Sequence, residues 1–170
     1  YMSWLKPRLE IMHRLLKPEG SFVIHLDWRA AAYVRVLLDK IFGPDKLRNE
    51  IIWYKGFRGT RAKKIFQRSH DVLYWYTKGN DWYWRQDYEP YRDQELKRYN
   101  RIDEEGRRYA LIKRRRPDGT IYYGRTYPAA QGKWRNDVIA DVPTMAATSA
   151  ERTGYATQKP LRLLEILVRS

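Results

Sequence analysis

The chain has 170 residues, of which 43% are hydrophobic, so it is long and apolar enough for one compact domain, and disorder throughout is excluded. Its formal net charge of +14 points to a polyanionic partner, either nucleic acid or an acidic membrane surface. Cysteine is absent, the three histidines are scattered, and no apolar run approaches the roughly 20 residues of a membrane span, so we expect a metal-free, soluble, cytoplasmic protein.

The first predicted element is an amphipathic helix. Apolar residues recur at helical spacing over residues 3–16, and Ser3 is placed to cap the helix. Pro7 is expected in the first turn, where proline is tolerated. The segment KPEG, residues 17–20, then predicts a turn.

An alternation of strand and helix follows. The run SFVIHLD, residues 21–27, predicts a strand that is buried on both faces. Asp27 is placed to cap a second helix over residues 28–43. Two more strand-like runs lie at residues 50–55 and 71–78, and the whole pattern is typical of an α/β fold.

His25 and Asp27 are candidates for the rim of a pocket. They lie two residues apart on the predicted strand and therefore share a face, at the carboxyl end where open α/β sheets place ligands. Both also have a structural interpretation, because His25 can be an ordinary buried polar group and Asp27 a helix cap. The sequence leaves these two interpretations open.

The loop between the later strands, residues 55–70, carries six lysines or arginines and no acidic residue. Such a loop can clamp a phosphate backbone, although a solvated surface loop has a similar composition. A second basic cluster, residues 113–116, precedes a PDG turn and is either another phosphate contact or a solvated strand end. The predicted phosphate contacts are Lys55, Arg58, Arg61, Lys63, Lys64, Arg68, Arg114 and Arg115.

Aromatic residues accompany these charges. Trp53 and Tyr54 end a predicted strand immediately before the basic loop, where an exposed ring can stack on an unpaired base. Aromatics at alternate strand positions are usually core residues. We therefore predict that Tyr74 and Tyr76, or else Trp75, face the core.

Residues 79–136 differ in composition from the α/β segments. They contain 14 Lys or Arg and 9 Asp or Glu, many tyrosines and repeated turn signals. This composition predicts a polar insertion of short strands and irregular structure. After it, residues 137–153 are consistent with a strand remnant and a loop of small residues.

The last stretch, GYATQKPLRLLEILVRS, predicts a turn at residues 157–160 followed by a helix. Pro160 suits the first helical position, because its fixed φ fits there and its missing N–H needs no partner. The predicted core-facing residues of this helix are Leu161, Leu164, Leu167 and Val168.

Four of these segments together resemble the amino-group DNA methyltransferases. In chain order they are YMSWLKPRLEIMHRLLKPEGSFVIHLDW, LLDKIFGPDKLRNEIIWYKG, HDVLYWYTK and ERTGYATQKPLRLLEILVRS. The resemblance is to the permuted arrangement, in which the catalytic half precedes the cofactor half. It implies part of a Rossmann-like fold that uses S-adenosylmethionine, with a mainly β or irregular insertion for target recognition.

The resemblance also implies a division of the chain and a cofactor site. Residues 1–78 correspond to the catalytic half, residues 79–136 to the target-recognition insertion, and residues 137–170 to the return to the core and the start of the cofactor half. The polar segment before the last helix lines the methionine end of the cofactor in this family. The implied cofactor contacts are Thr157, Gln158 and Lys159.

Two motifs of the family are not found in these residues. One is the catalytic tetrapeptide, in which Asp, Ser or Asn precedes Pro-Pro and an aromatic residue; the other is the Phe-x-Gly-x-Gly turn. We therefore assign no catalytic residue and expect the chain to be an internal part of a methyltransferase that is inactive alone.

The resemblance implies methyl transfer to an exocyclic amino group in duplex DNA, with adenine preferred over cytosine. It also suggests a homodimer or a restriction subunit as further partners and gives no reason to expect membrane binding. The alternative is a non-catalytic DNA-binding module descended from a methyltransferase. An unrelated RNA-binding protein is disfavoured, because no RNA-binding signature is present and the α/β segments would lack an explanation.

Overall fold

The structure, a computed structural model, describes residues 1–56 and 63–170. The chain divides into two compact units. The larger unit combines Tyr1–Arg85 with Asn136–Ser170, and the smaller unit is Gln86–Arg135.

Both units are built from helices and strands of modest length. In chain order these elements are α1 (Met2–Leu15), β1 (Ser21–Leu26), α2 (Trp28–Phe42), a 3-10 turn (Pro44–Lys46), β2 (Leu47–Tyr54), β3 (His70–Thr77), β4 (Tyr88–Glu89), α3 (Asp93–Leu96), β5 (Arg101–Ile102), β6 (Arg108–Arg115), β7 (Ile121–Thr126), β8 (Lys133–Trp134), β9 (Val138–Ile139) and α4 (Leu161–Arg169).

The larger unit is built on a four-stranded mixed sheet with the order β1-β3-β2-β9. Strand β3 is antiparallel to both β1 and β2, whereas β9 pairs in parallel with β2. Strand β2 begins earlier than predicted, because Leu47 and Asn49 pair with β3 across an irregularity in the register. Helices and strands thus combine as the sequence predicts, and the α/β class is confirmed.

Helix α1 differs in detail from its prediction. It begins after Tyr1, so Ser3 lies inside the helix and is not its cap. Pro7 also lies inside the helix, beyond the first turn, where its ring removes one backbone hydrogen-bond donor. The buried residues of α1 are Leu5 and Leu9, so its contact with the core is narrower than the predicted apolar face.

Helix α2 begins and ends as predicted. The Oδ1 atom of Asp27 accepts hydrogen bonds from the backbone N–H groups of Arg29, at 3.0 Å, and Ala30, at 3.2 Å. Gly43 ends the helix at φ +98°, a left-handed conformation that favours glycine. Local sequence signals were sufficient to define both ends of this helix.

The sheet has a hydrophobic core on each face. The first core, against α1 and α2, includes Tyr74 and Tyr76, which confirms the prediction for these two side chains. The hydroxyl group of Tyr76 donates a hydrogen bond of 2.5 Å to Asp39 Oδ1. The second core lies against α4 and consists of Trp53, Leu73, Ile139, Val142, Leu163 and Ile166.

The predicted core face of α4 is wrong for three of its four residues, whereas the fourth, Leu167, is half-buried and packs against the second core. Leu163 and Ile166 are buried, whereas Leu161, Leu164 and Val168 are exposed to 57%, 45% and 81%. Pro160 precedes the helix as its N-cap and is not its first helical residue. Apolar residues occupy most positions of this nine-residue helix, so its sequence allows more than one apolar stripe, and packing selects the one that meets the second core.

The smaller unit consists of short strands and irregular structure. Its sheets are a β4-β8 pair and an antiparallel β5-β6-β7 sheet. It falls within residues 79–136, which the sequence sets apart by composition, and its part in target recognition stays a prediction. In the part of the chain that the structure describes, no helix is both long and apolar enough to cross a membrane.

Candidate functional site

A cavity of about 390 Å³ lies in the larger unit, on the sheet face that carries the second core. The ends of β2 and β3 form one wall, and the segment that leads into α4 forms the other. The lining residues are Trp53, Lys55, Asp71, Thr144, Met145, Arg152, Tyr155, Ala156, Thr157, Gln158, Lys159 and Pro160.

The sheet side of the cavity holds a network of charged and polar groups centred on Asp71. Its Oδ1 atom accepts a hydrogen bond of 2.5 Å from Lys55 Nζ, and its Oδ2 atom lies 3.0 Å from His25 Nε2. The Asp71 side chain is 13% exposed, so water screens these contacts only in part. The network joins three strands, because His25 lies in β1, Asp71 in β3, and Lys55 directly after β2.

The environment of His25 favours its neutral form. Burial lowers the pKa of His25; Lys159 and Lys55 act in the same direction, while the hydrogen bond and charge of Asp71 raise the pKa in part. At neutral pH the imidazole therefore donates its Nε2–H to the Asp71 carboxylate. His25 also packs edge-on against Trp53, with ring centroids 5.8 Å apart.

The other wall is held in shape by Gln158. Its Oε1 atom accepts hydrogen bonds from the backbone N–H of Thr153, at 2.9 Å, and from the Thr153 hydroxyl, at 3.0 Å. Its Nε2 atom donates to the carbonyl oxygen of Glu151 at 2.7 Å. Gln158 thus closes the loop that precedes α4, and this role uses most of its hydrogen-bonding capacity.

The charges on the cavity wall favour an anionic group. Lys55, Arg152 and Lys159 are cationic, and Asp71 is the anionic residue among those that line the cavity. Lys55 is engaged by Asp71, whereas Lys159 donates to the carbonyl oxygen of Thr157 at 2.8 Å. Arg152 and Lys159 therefore supply the positive charge available to a ligand.

The structure brings all three implied cofactor contacts to this one cavity. These three residues, Thr157, Gln158 and Lys159, are consecutive, so they are close together in any fold. Their position across the cavity from Lys55 and Asp71, in contrast, results from the tertiary structure. Their part in cofactor binding stays a prediction. Within the described ranges, no cluster of His, Asp and Glu residues is arranged to bind a metal ion.

The basic loop is only partly described. Arg58 and Arg61 lie outside the described residues. Lys63 and Lys64 are exposed, and so is Arg68, whose guanidinium stacks at 3.8 Å from the ring centroid of Trp28. These exposed cations stay candidates for phosphate contacts.

Lys55 does not fit its predicted role as a phosphate contact. Its ammonium group is bound to Asp71, and its side chain is 20% exposed. A phosphate at this position would have to displace a carboxylate that is held by two partners. Lys55 is better described as part of the wall of the cavity.

The two base-stacking candidates lie on opposite faces of β2. Trp53 is 4% exposed, and its indole N–H donates to the carbonyl oxygen of Val142 at 2.7 Å. Although Trp53 borders the cavity, a side chain that is 4% exposed offers too little surface for a base to stack on, so the prediction for Trp53 is wrong in this structure. Tyr54 is 41% exposed and stays a candidate.

Only one of the two pocket-rim candidates belongs to the site. His25 contacts Asp71 and Trp53, both of which line the cavity. Asp27 follows β1 and is used as the cap of α2, where its Oδ2 atom also accepts a hydrogen bond of 2.6 Å from Arg29. Hydrogen bonds from Arg29 hold the pKa of Asp27 below its ordinary value.

Sequence reasoning missed Asp71 and Arg152. The available signal was the position of Asp71, directly after the basic loop and two residues before Leu73 on the same strand. Residues two apart on a strand share a face of the sheet, and Leu73 shares its face with Trp53. The signal is weak, because a strand-end aspartate is common and its partners are 16 and 46 residues away. Arg152 has no sequence feature that separates it from the other arginines.

Comparison with known proteins identifies the family of this chain. The whole chain, residues 1–170, matches the family model described as DNA methylase. Similar proteins include the type II methyltransferase M.KpnI of Klebsiella pneumoniae, 34% identical over 80 residues, which cover 47% of this chain and 19% of that protein.

Two further relatives have names of the same kind. The type II methyltransferase M.EcaI of Enterobacter cloacae is 25% identical over 136 residues, 79% of this chain and 28% of that protein. The type II methyltransferase M.BglII of Bacillus subtilis is 34% identical over 89 residues, 46% of this chain and 23% of that protein. The matched segments thus span between 19% and 28% of these relatives. Because the family model matches every residue from 1 to 170, the chain belongs to the DNA methylase family of amino-group methyltransferases.

Proposed function

We propose that this chain takes part in transferring a methyl group from S-adenosylmethionine to the exocyclic amino group of a base in duplex DNA. Adenine is the preferred base, because the four resembling segments are most similar to those of adenine enzymes. The larger unit is then part of a Rossmann-like methyltransferase fold. The observation that carries the proposal is the cation-rich cavity beside Thr157, Gln158 and Lys159.

The cavity fits one end of the cofactor. Small-molecule sites have volumes of about 300–1,000 Å³, and this cavity of about 390 Å³ lies in that range. Arg152 and Lys159 offer donors to a carboxylate, which matches the carboxylate of the methionine moiety. When bound, the cofactor supplies a methyl group on a sulfonium centre.

The residues of the chain hold and orient the wall of this site. Gln158 fixes the loop from which Lys159 projects, through its hydrogen bonds to Thr153 and Glu151. Asp71 holds Lys55 and His25 on the opposite side, so the wall is preorganised before a ligand binds.

Replacing Lys159 with methionine tests this site in the complete protein. The substitution keeps the aliphatic stem and removes the charge, so we expect the affinity for S-adenosylmethionine to fall by about 10-fold, equivalent to about 1.4 kcal/mol. Isothermal titration calorimetry measures the change. Lys63→Met, on the exposed basic loop, is the matched control and should leave cofactor affinity unchanged; equal affinities for both variants would remove the cavity from the cofactor site.

A second test concerns the basic loop and DNA. Replacing Arg58, Arg61, Lys63 and Lys64 with alanine should weaken binding to duplexes of any sequence. It should also flatten the dependence of log affinity on log salt by up to about four units, because binding releases about one counterion fewer for each phosphate that the variant no longer neutralises. Fluorescence anisotropy at several salt concentrations gives the slope.

A matched control separates loop contacts from net charge. The control variant removes four exposed cations from α1 and the turn after it, and therefore has the same net charge as the loop variant. An equal change of slope in both variants would mean that the loop is not the contact surface. The residues replaced with alanine in the control are Lys6, Arg8, Arg14 and Lys17.

A further inference from the structure

The β6–β7 hairpin of the smaller unit is exposed on both faces. Residues 111–123 are exposed to solvent, apart from the half-buried Gly119 at the turn. A two-stranded ribbon is marginally stable by itself in water, and this one exposes apolar side chains such as Ile112 and Tyr123. A partner that covers the ribbon would shield these apolar side chains from water and stabilise the hairpin.

The charge distribution of the hairpin identifies the partner as a polyanion. Three acidic residues near its base are paired with two arginines: Arg107 binds Asp103 and Glu105, and Arg125 binds Glu104 in a bidentate pair. The acidic residue of the turn, Asp118, accepts a hydrogen bond from the backbone N–H of Thr120. Five other cations have no ion-pair partner among the described residues. They are Arg108, Lys113, Arg114, Arg115 and Arg116.

The strand alternation divides these cations between two faces. Arg114 lies opposite Tyr122 on β7, and Arg116 stacks on the same ring at 5.1 Å, so both belong to one face, together with Arg108. We call this the even face. Lys113 and Arg115 lie on the other, odd face, and Arg115 is partly engaged by the carbonyl oxygen of Gly119 at 3.3 Å.

Arg114 is positioned by the strand beside it. Its side chain crosses Gly124 on β7, where a Cβ atom would lie only 3.1 Å from Arg114 Nε. Its Nη2 atom then lies 3.4 Å from the hydroxyl oxygen of Thr126. Glycine is unfavourable inside a strand, and here its missing side chain leaves room for Arg114 to lie across β7.

We propose that the β6–β7 hairpin is a DNA-reading ribbon that enters the major groove with its even face toward the bases, where Arg114 contacts a guanine. This inference rests on the proposed function, because it takes duplex DNA as the partner. The major groove is wide enough for a two-stranded β-ribbon, and arginine matches the O6 and N7 acceptors of guanine in a bidentate contact. The cations of the odd face point away from the bases. They increase the affinity for DNA of any sequence through electrostatic attraction to the phosphates, and they do not distinguish one base from another.

Adjacent residues on opposite faces provide a matched test. Wild type, Arg114→Ala and Arg115→Ala are each used to select binders from a library of random 20-base-pair duplexes, with thermal melting as a check of folding. The wild type should enrich a sequence that contains a guanine, and Arg114→Ala should lose about 5- to 150-fold discrimination at that position. Arg115→Ala should keep the same enriched sequence with lower affinity.

A Gly124→Ala variant moves Arg114 without changing any charge. The new Cβ atom would lie 3.1 Å from Arg114 Nε and shift that side chain by a few tenths of an ångström, so discrimination at the same guanine should fall by less than in Arg114→Ala, while the salt dependence of binding stays as in the wild type. We expect this variant to fold, because alanine is better tolerated than glycine inside a strand. A loss of discrimination therefore reports the position of Arg114 and not unfolding of the hairpin.

The outcomes separate this inference from the proposed function. If Arg114→Ala and Arg115→Ala select the same sequence with the same discrimination as the wild type, the ribbon assignment is overturned. The proposed function would still stand in that case, provided that the complete protein transfers a methyl group to DNA. If the complete protein transfers no methyl group to DNA but Arg114 discriminates a base, the proposed function fails and the ribbon assignment is upheld.

Discussion

Replacing Trp53 with alanine is expected to lower the free energy of unfolding of the larger unit by about 3–5 kcal/mol, the range for a buried tryptophan or phenylalanine. The side chain is 4% exposed and belongs to the second core, together with Leu163 and Ile166. Its removal also leaves the carbonyl oxygen of Val142 without the indole donor. Urea denaturation followed by circular dichroism measures the loss.

The neighbouring tyrosine is the control for this prediction. Tyr54 is 41% exposed, so Tyr54→Ala should cost less than about 1 kcal/mol. If Tyr54 stacks on a base, this variant should lower methylation by the complete protein more than it lowers stability. A Trp53→Ala variant with wild-type stability and impaired methylation would contradict the core assignment and restore the stacking role of Trp53.

Replacing Asp71 with asparagine is expected to destabilise the protein by about 2–3 kcal/mol, because it removes the charge that two partners share at the wall of the cavity. The substitution keeps the shape of the side chain but leaves Lys55 without a carboxylate. Asp45→Asn is the matched control, since Asp45 pairs with Lys46 at 2.6 Å on the surface, where its side chain is 69% exposed. Surface pairs contribute little, so this variant should melt close to the wild type. Equal melting temperatures for the two variants would show that the Asp71 network is not stabilising.

The same Asp71 variant has a second readout in the titration of His25. Asp71 raises the pKa of His25 against the larger effect of burial, so Asp71→Asn should lower that pKa further. Proton NMR of the imidazole measures it, and an increase would contradict the described hydrogen bond. Since the pKa of His25 is lower in the folded state, the unfolded chain binds the proton first, and this group reduces stability as the pH falls below about 6.5.

Local and periodic signals in the sequence predicted much of the fold. The two-residue alternation in β3 placed Tyr74 and Tyr76 on a buried face, and Asp27 and Gly43 defined the ends of α2. These features depend on neighbouring residues and on the geometry of a single element, so no knowledge of distant contacts is needed. The family itself was also predictable, because four segments occur in a characteristic order along the chain.

Tertiary packing decided what the local pattern left open. Trp53 and Tyr54 are adjacent aromatics on opposite faces of one strand, and which of them is buried depends on where α4 packs. The apolar residues of α4 allow several stripes, and the second core selects Leu163 and Ile166.

The candidate site shows most clearly that contacts between distant residues cannot be predicted from local sequence patterns. Thr157, Gln158 and Lys159 were identified from sequence because they are consecutive in a recognisable segment. The contacts of Asp71 with Lys55 and His25 join residues 16 and 46 positions apart, and the pairing of three strands creates them. Sequence by itself determined the family, the element types and the cation-rich character of the protein. Only the tertiary structure decided which charges neutralise one another and which are left for a ligand, because that depends on distances between residues far apart in the chain.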